Sequence, residues 1–173
     1  WYTVLWNKIY KKELVKNIEF KQIVWYEDVE FLYQLLPKIK RIGVMIEHFC
    51  NYIQRENSIT YTYNHKLYDL IDNFNGIIEY YKKHNDYKHY KNELEYGYVR
   101  YVYGTFIKRL AKTKNKEEFK KGLHYAKAEV KRNFPDYKKN PYLQKKSGKN
   151  LYLKYFNTLF AMIIYYTQKN KMN

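Results

Sequence analysis

The spacing of apolar residues changes near residue 60, and beyond that point a helical period dominates the chain. In residues 65–84 and 87–112, apolar side chains recur every three or four positions and fall on one face of a helix. Asn115, with Glu118 three residues later, resembles a helix N-cap and predicts a helix that runs to about residue 133. A last helix is predicted over residues 151–169. The second part of the chain is therefore expected to be helical.

The first 60 residues show shorter and more varied patterns. Apolar residues at helical spacing predict a first helix over residues 4–16, and Asn17 is expected to end it in a left-handed cap. Residues 18–20 are expected to be extended, and residues 22–26 are expected to form a loop.

A second helix is predicted to begin at Glu27 and Asp28, because acidic residues stabilise the first turn of a helix. Pro37 marks the end of this helix or a break just beyond it. In residues 41–47 the branched apolar residues Ile42, Val44 and Ile46 occupy every second position, which predicts a strand, and residues 49–53 are a second strand candidate.

These patterns divide the chain into two predicted parts. Residues 1–60 are expected to form an α/β region of short strands and helices, and residues 61–173 are expected to form a helical extension. The fold is therefore predicted to be predominantly helical, with an α/β part at its N-terminal end. A length of 173 residues suits one domain, or a small domain with an appendage.

The chain is strongly basic and rich in tyrosine. It carries a formal net charge of +16, and 23 of its residues are tyrosine. Such a charge favours anionic partners, and nucleic acid, an acidic membrane surface and a diphosphate substrate all fit. A hydrophobic share of 46% argues against a disordered chain. The single cysteine, Cys50, cannot form an internal disulfide, and its apolar surroundings predict a buried structural thiol.

Short motifs occur in a defined order within the first part of the chain. They are Trp-Asn-Lys-Ile-Tyr at residues 6–10, Ile-Glu-Phe at 18–20, Tyr-Glu-Asp-Val-Glu-Phe at 26–31 and Tyr-Ile-Gln-Arg-Glu-Asn-Ser-Ile-Thr at 52–60. In this order and spacing they resemble the second half of the family 2 glycosyltransferases, which are inverting enzymes of the GT-A type. The segment 134–143 is more loosely similar to the helical tails of bacterial members that build capsular or other surface polysaccharides.

The resemblance implies transfer of a sugar from a nucleotide-sugar to an acceptor hydroxyl, with Asp28 as the general base. A sugar hydroxyl is a poor nucleophile, and a carboxylate in hydrogen-bond reach takes its proton as the oxygen attacks the anomeric carbon. By the same resemblance, Glu27 orients Asp28 or contacts the acceptor. Arg55 approaches the donor phosphates, and Lys8 is a second candidate for that role. The remaining residues assigned to substrate or donor binding are Trp6, Asn7 and Ser58.

The family's nucleotide-binding half, with its Asp-x-Asp metal motif, would lie upstream of Trp1. No Asp-x-Asp occurs in this chain, and Asp69 and Asp72 are interpreted as solvated helix residues. The five histidines show no metal-ligand spacing, so no metal site is expected here. A divalent metal, Mg²⁺ or Mn²⁺, is expected only in the full-length enzyme, and this chain alone is expected to be inactive.

The expected partners are the nucleotide-sugar donor and a saccharide or lipid-linked acceptor. An anionic membrane surface is a further candidate partner, because lysines precede an apolar, aromatic last helix. A homodimer is another, because a core left exposed where the upstream half should pack would favour dimerisation. The expected location is cytoplasmic, or peripheral at the inner face of the membrane. Nucleic acid is not expected as a partner, because the lysines are spread along every helix. The alternative to a transferase is a basic helical module that binds nucleic acid or docks on a membrane without catalysis.

Overall fold

The computed structural model describes residues 3–53, 63–113 and 115–170, and the regular elements of this part are all helical. Short 3-10 turns at Leu36–Lys38, His65–Tyr68 and Tyr137–Lys139 and a π-helical segment at Arg100–Phe106 accompany the α-helices. The α-helices are α1 (Lys12–Val15), α2 (Glu27–Leu35), α3 (Asp69–Lys83), α4 (Tyr87–Val99), α5 (Ile107–Leu110), α6 (Lys116–Asn133), α7 (Pro141–Gln144), α8 (Gly148–Lys154) and α9 (Thr158–Asn170).

Helix α3 lies at the centre of the main hydrophobic core. It packs against α2 on one side and against α4 and the π-helical segment on another. The ring of Phe74 is fully buried and lies 5.1 Å from the ring of Tyr33, 5.8 Å from that of Tyr98 and 5.0 Å from that of Tyr101. The other apolar residues that α3 buries are Leu70, Ile71, Ile77, Ile78 and Tyr81.

A polar cluster joins α3 to α4 and α6 at one side of this core. The side chain of Asn75 accepts hydrogen bonds from the Tyr98 hydroxyl at 3.2 Å and from Asn133 Nδ2 at 3.1 Å. Its own amide donates to Glu129 Oε2 at 3.0 Å. Because buried polar groups cost free energy when they lack partners, this cluster defines how the three helices meet.

The helices predicted over residues 65–84, 87–112 and 115–133 are confirmed. Asn115 is the N-cap of α6, and its Oδ1 accepts from the backbone N–H groups of Glu117 and Glu118 at 2.9 and 3.2 Å. The Glu118 carboxylate does not bond back to the cap, because it accepts from the Tyr63 hydroxyl at 2.6 Å. The predicted last helix is two helices, since the Asn157 side chain caps α9 by accepting from Phe160 N–H at 3.0 Å.

The prediction of an α/β region in residues 1–60 is wrong, because the described residues contain no β-strand. Residues 41–47 and 49–53 have no regular secondary structure, and the side chains of Val44 and Ile46 are 84% and 88% exposed. Alternation predicts a face that a sheet could bury, but a strand also needs a neighbour to satisfy its backbone, and the described part of the chain offers none. Residues 18–20 likewise form no strand, and Ile18 packs in a small cluster with α2.

The first helix is shorter than predicted. Only α1 forms within residues 4–16, because Trp6 and Ile9 are exposed and an isolated helix of this length depends on burying its apolar face. Asn17 does not adopt the left-handed conformation. The described non-glycine residues that do so are Ile23, Tyr26 and Asn85.

Gly97 in α4 lies against the side chain of Tyr33 from α2, and we expect Gly97→Ala to destabilise the protein by about 1–3 kcal/mol through overpacking. An added Cβ would lie 2.6 Å from the Tyr33 hydroxyl oxygen but 3.5 Å from Tyr33 Cζ. The free energy of unfolding, measured by urea denaturation, should therefore recover in the double variant Gly97→Ala/Tyr33→Phe. An equally unstable double variant would contradict this account of the contact.

Candidate functional site

The loop that precedes α2 is held in an unfavourable backbone conformation. Ile23 has a φ of 63° and Tyr26, the N-cap of α2, has a φ of 66°. Left-handed conformations cost about 1–3 kcal/mol at non-glycine residues and persist where the surrounding structure imposes them. The surroundings of this loop must therefore supply compensating contacts.

Side chains of the following helical elements supply these contacts. Asp69 Oδ2 accepts from the Trp25 backbone N–H at 2.9 Å, and Asn73 Nδ2 donates to the Trp25 carbonyl at 2.8 Å. Lys66 Nζ donates to the Ile23 carbonyl at 3.2 Å. Asp69 thus binds the loop and is half-buried, which corrects its interpretation as a solvated residue, whereas Asp72 is exposed as expected.

Arg109 of α5 contacts the aromatic side chains of the same loop. Its guanidinium carbon lies 5.0 Å from the ring centre of Trp25 and 5.3 Å from that of Tyr26, both within cation–π range. It also donates a hydrogen bond to the Tyr26 hydroxyl. Burial raises the pKa of Tyr26, and the positive charge of Arg109 acts in the opposite direction.

Asp28 lies in the first turn of α2, directly after this loop, and its carboxylate is half-buried. Its Oδ1 accepts from the Val29 backbone N–H at 2.8 Å, so it also satisfies one donor at the start of the helix. Burial raises the pKa of the Asp28 carboxyl, and the neighbouring Glu27 raises it further. Hydrogen bonds from Val29 N–H and Thr3 oppose this rise in the pKa but do not cancel it.

The structure brings Lys8, Tyr10 and Tyr101 close enough to Asp28 for charge to act between them. Burial lowers the pKa of Lys8, while the charge of Asp28 raises it. Burial and the Asp28 charge together raise the pKa of Tyr10. The pKa of Tyr101 is raised mainly by burial and also by Asp28, and a hydrogen bond with Thr3 lowers it. Asp28 therefore lies among one cation and several hydroxyl groups.

An open cleft of about 270 Å³ is lined in part by Thr3, which hydrogen bonds to Asp28, although Asp28 itself does not line it. Its mixed lining of aromatic, aliphatic and cationic side chains can contact both the apolar face and the hydroxyl groups of a small polar ligand. The lining residues are Thr3, Leu32, Tyr33, Leu36, Arg100 and Tyr101.

Trp6 and Asn7 lie at the outer edge of the site. The Trp6 ring stacks on Tyr52 at 5.7 Å with an interplanar angle of 4°, and both side chains remain exposed. Asn7 Oδ1 accepts from Lys8 Nζ at 2.6 Å. Cys50 also lies here, and it is exposed, with its Sγ 3.7 Å from the Trp6 carbonyl. The prediction of a buried thiol is wrong, because the apolar run around Cys50 has no core to enter.

The structure brings five of the predicted site residues into one region of the molecule: Trp6, Asn7, Lys8, Glu27 and Asp28. Arg55 and Ser58 lie outside the described residues. Within those residues no three His, Cys, Asp or Glu side chains are grouped to hold a metal ion. The metal expected in a longer enzyme stays a prediction.

Sequence reasoning missed Thr3, Tyr10, Tyr101 and Arg109. Tyr10 belongs to the first motif, but nothing in its spacing marks it as a neighbour of Asp28. Tyr101 and Arg109 are more than 70 residues from Asp28 in the chain. Only the packing of the helices brings them to the site, so no local signal could have identified them.

Comparison with protein-family models, with curated protein sequences and with solved structures finds no match to this chain. Among the described residues, no helix is both long enough and apolar enough to cross a lipid bilayer.

Asp28→Asn is expected to raise the thermal unfolding midpoint near neutral pH. Folding raises the pKa of Asp28 above the ordinary value of 3.8. Between that value and the raised pKa, the Asp28 carboxyl is protonated in the folded state but ionised in the unfolded state. Stability conferred by the protonated carboxyl is therefore lost as the pH rises through this window. Asn avoids this loss and keeps an oxygen that can accept from Val29 N–H.

Circular dichroism melting of both proteins across this pH range provides the measurement. The advantage of Asp28→Asn should shrink as the pH falls towards 3.8 and both proteins carry an uncharged side chain at this position. A lower midpoint for the variant at neutral pH would show that ionised Asp28 stabilises the fold.

Proposed function

We propose that this chain supplies the acceptor-side part of a glycosyltransferase active site, with Asp28 as the general base. The donor would be a nucleotide-sugar, and the acceptor would be a saccharide or lipid-linked hydroxyl. Two observations support this proposal: the order of the motifs at residues 6–10, 26–31 and 52–60, and the setting of Asp28 in the structure. The second observation carries the most weight, because it does not depend on resemblance.

A carboxylate that only starts a helix is stabilised when it is exposed and ionised. Asp28 is instead half-buried beside Glu27, and both features raise its pKa. A raised pKa makes a carboxylate a stronger base, and it brings the group nearer to the range in which general bases work efficiently. Perturbed carboxyl groups beside a cleft are typical of functional sites.

The proposed reaction is a single displacement at the anomeric carbon of the donor sugar. Asp28 takes the proton of the acceptor hydroxyl while that oxygen forms the new glycosidic bond, and the nucleotide diphosphate leaves with the electrons of the broken bond. The sugar passes through an oxocarbenium-like transition state, and its configuration inverts. Chain residues near Asp28 would orient the acceptor: Thr3 and Tyr101 through their hydroxyl groups, and Glu27 through its carboxylate.

Positive charge is needed where the diphosphate leaves. In this proposal Lys8 and Arg55 contribute that charge, together with a divalent metal held by residues upstream of Trp1. Trp6 offers an exposed aromatic surface at the edge of the site, on which the apolar face of a sugar ring can pack.

Asp28→Asn in the full-length enzyme is expected to lower the rate of sugar transfer by about a hundredfold or more, because general base catalysis contributes roughly 10²–10⁴. Affinity for the nucleotide-sugar, measured by calorimetry, should stay close to that of the unmodified enzyme. Radiolabelled sugar transfer to acceptor provides the rate.

The matched control is Asp72→Asn. Asp72 is a largely exposed carboxyl on α3 whose pKa is also raised, mainly by partial burial and then by Asp69, but it lies outside the proposed site. This variant should transfer sugar at the normal rate. Normal turnover in Asp28→Asn, or an equal loss in both variants, would remove Asp28 from the role of general base.

A further inference from the structure

The last part of the chain has a different charge pattern from the rest. Residues 137–173 contain eight lysines and no aspartate, glutamate or arginine, so this segment holds half of the formal net charge of +16. Helices α7, α8 and α9 all lie within it. Lys139 pairs at 3.0 Å with Asp136, just before the segment, but the segment itself has no acidic residue, and its excess of positive charge favours an anionic partner.

The same segment exposes a row of large apolar side chains. Leu159, Ile163 and Tyr166 follow one another at intervals of four and three residues on α9, opposite the buried Ala161 and Tyr165. Leu159 is 67% exposed and Ile163 is 51% exposed. We call this row the α9 stripe. Two further apolar side chains are exposed earlier in the same segment: Leu151 in α8 and Tyr155 directly after it.

Lysines of α6 border the α9 stripe on one side. An open groove between α6 and α9 is lined by Lys116, Lys120 and Lys127. Lys116 Nζ lies 5.6 Å from the centre of the Tyr166 ring, and Lys127 Nζ donates to Thr158 Oγ1 at 3.1 Å.

Lys120 is paired at 2.9 Å with Glu117, the acidic residue of this border. The other residues of the groove are Leu123, His124, Thr158 and Met162. The stripe thus lies beside a mainly cationic border.

We propose that the α9 stripe and its lysines dock the protein on the surface of an anionic lipid bilayer. The apolar side chains would enter the boundary between headgroups and acyl chains, and the lysine ammonium groups would bind lipid phosphates. Helix α9 would lie in the plane of the surface, because its 13 residues are too few for the roughly 20 that a bilayer requires. Docking is independent of the role proposed for Asp28.

Charge complementarity favours a bilayer over the other occupants. A second copy of this chain would bring two lysine-rich borders together, and like charges would repel across the contact. A nucleic acid would bind the lysines, but its phosphate backbone gives no apolar surface for Leu159 and Ile163 to enter. A bilayer with acidic headgroups matches both parts of the face.

Flotation of the protein with vesicles tests this proposal. Vesicles of phosphatidylcholine with about one-third phosphatidylserine should recover the protein, whereas vesicles of phosphatidylcholine alone should recover at least tenfold less. Raised salt should weaken the recovery, because surface electrostatics are screened. Equal recovery with neutral and anionic vesicles would overturn the proposal.

Paired variants separate the α9 stripe from exposed apolar residues in general. Leu159→Ser/Ile163→Ser should reduce binding to anionic vesicles by at least tenfold. Val44→Ser/Ile46→Ser removes side chains that are just as exposed but lie outside the α9 stripe, and it should bind normally. Equal binding by both pairs would contradict a role for the stripe.

Lysine variants test the electrostatic part of binding while leaving the apolar side chains of the α9 stripe unchanged. Lys127→Gln removes an exposed charge of the groove beside α9 and Lys169→Gln removes one on α9 itself, and each should weaken binding by roughly fivefold, whereas Lys91→Gln on α4 should have little effect. Asp28→Asn should bind vesicles normally.

Two further results would overturn the lipid assignment. One is sedimentation of a dimer that Leu159→Ser/Ile163→Ser dissociates. The other is displacement of the protein from vesicles by a short RNA or DNA duplex, if the Leu159→Ser/Ile163→Ser variant binds that duplex as tightly as the unmodified protein does.

Discussion

Burial of α3 on several sides is the constraint on which the rest of the fold depends. A helix whose apolar residues share one broad face is stable in water only when other elements cover that face. Helices α2 and α4 and the π-helical segment provide that cover, and Asn75 determines how α3 meets α4 and α6 through a set of side-chain hydrogen bonds. The remaining short helices are arranged around this assembly.

The same helix also positions the candidate site. Asp69 and Asn73 face the loop before α2 and bind both backbone groups of Trp25, so the strained turn at Tyr26 is imposed from the core. Asp28 follows Tyr26 by two residues, so the geometry of that turn sets the position of Asp28. A half-buried carboxylate therefore follows a strained turn that the core holds in place, which preorganises the carboxylate at a cost in stability.

The sequence predicts the helices between residues 65 and 133 well, because each has a continuous apolar face that the core buries. It does not predict the structure of residues 39–53. Alternation at Ile42, Val44 and Ile46 indicates which side chains could share a face, but not whether a neighbouring strand exists to receive them. For the candidate site, the motif around Asp28 can be read from the chain. The neighbours Thr3 and Tyr101 cannot, since long-range packing places them there.

The π-helical segment Arg100–Phe106 has a consequence for how one long helix serves a mixed core. Leu94, Tyr98, Val102, Phe106 and Leu110 are all buried, and each follows the last by four residues. In a regular α-helix such a series would turn away from its partner by about 40° at each step, because each residue advances roughly 100°. A wider turn takes up part of this drift. The π-helical segment therefore keeps these five residues on one continuous buried face, which meets α3 along α4 and meets α6 and α9 along α5.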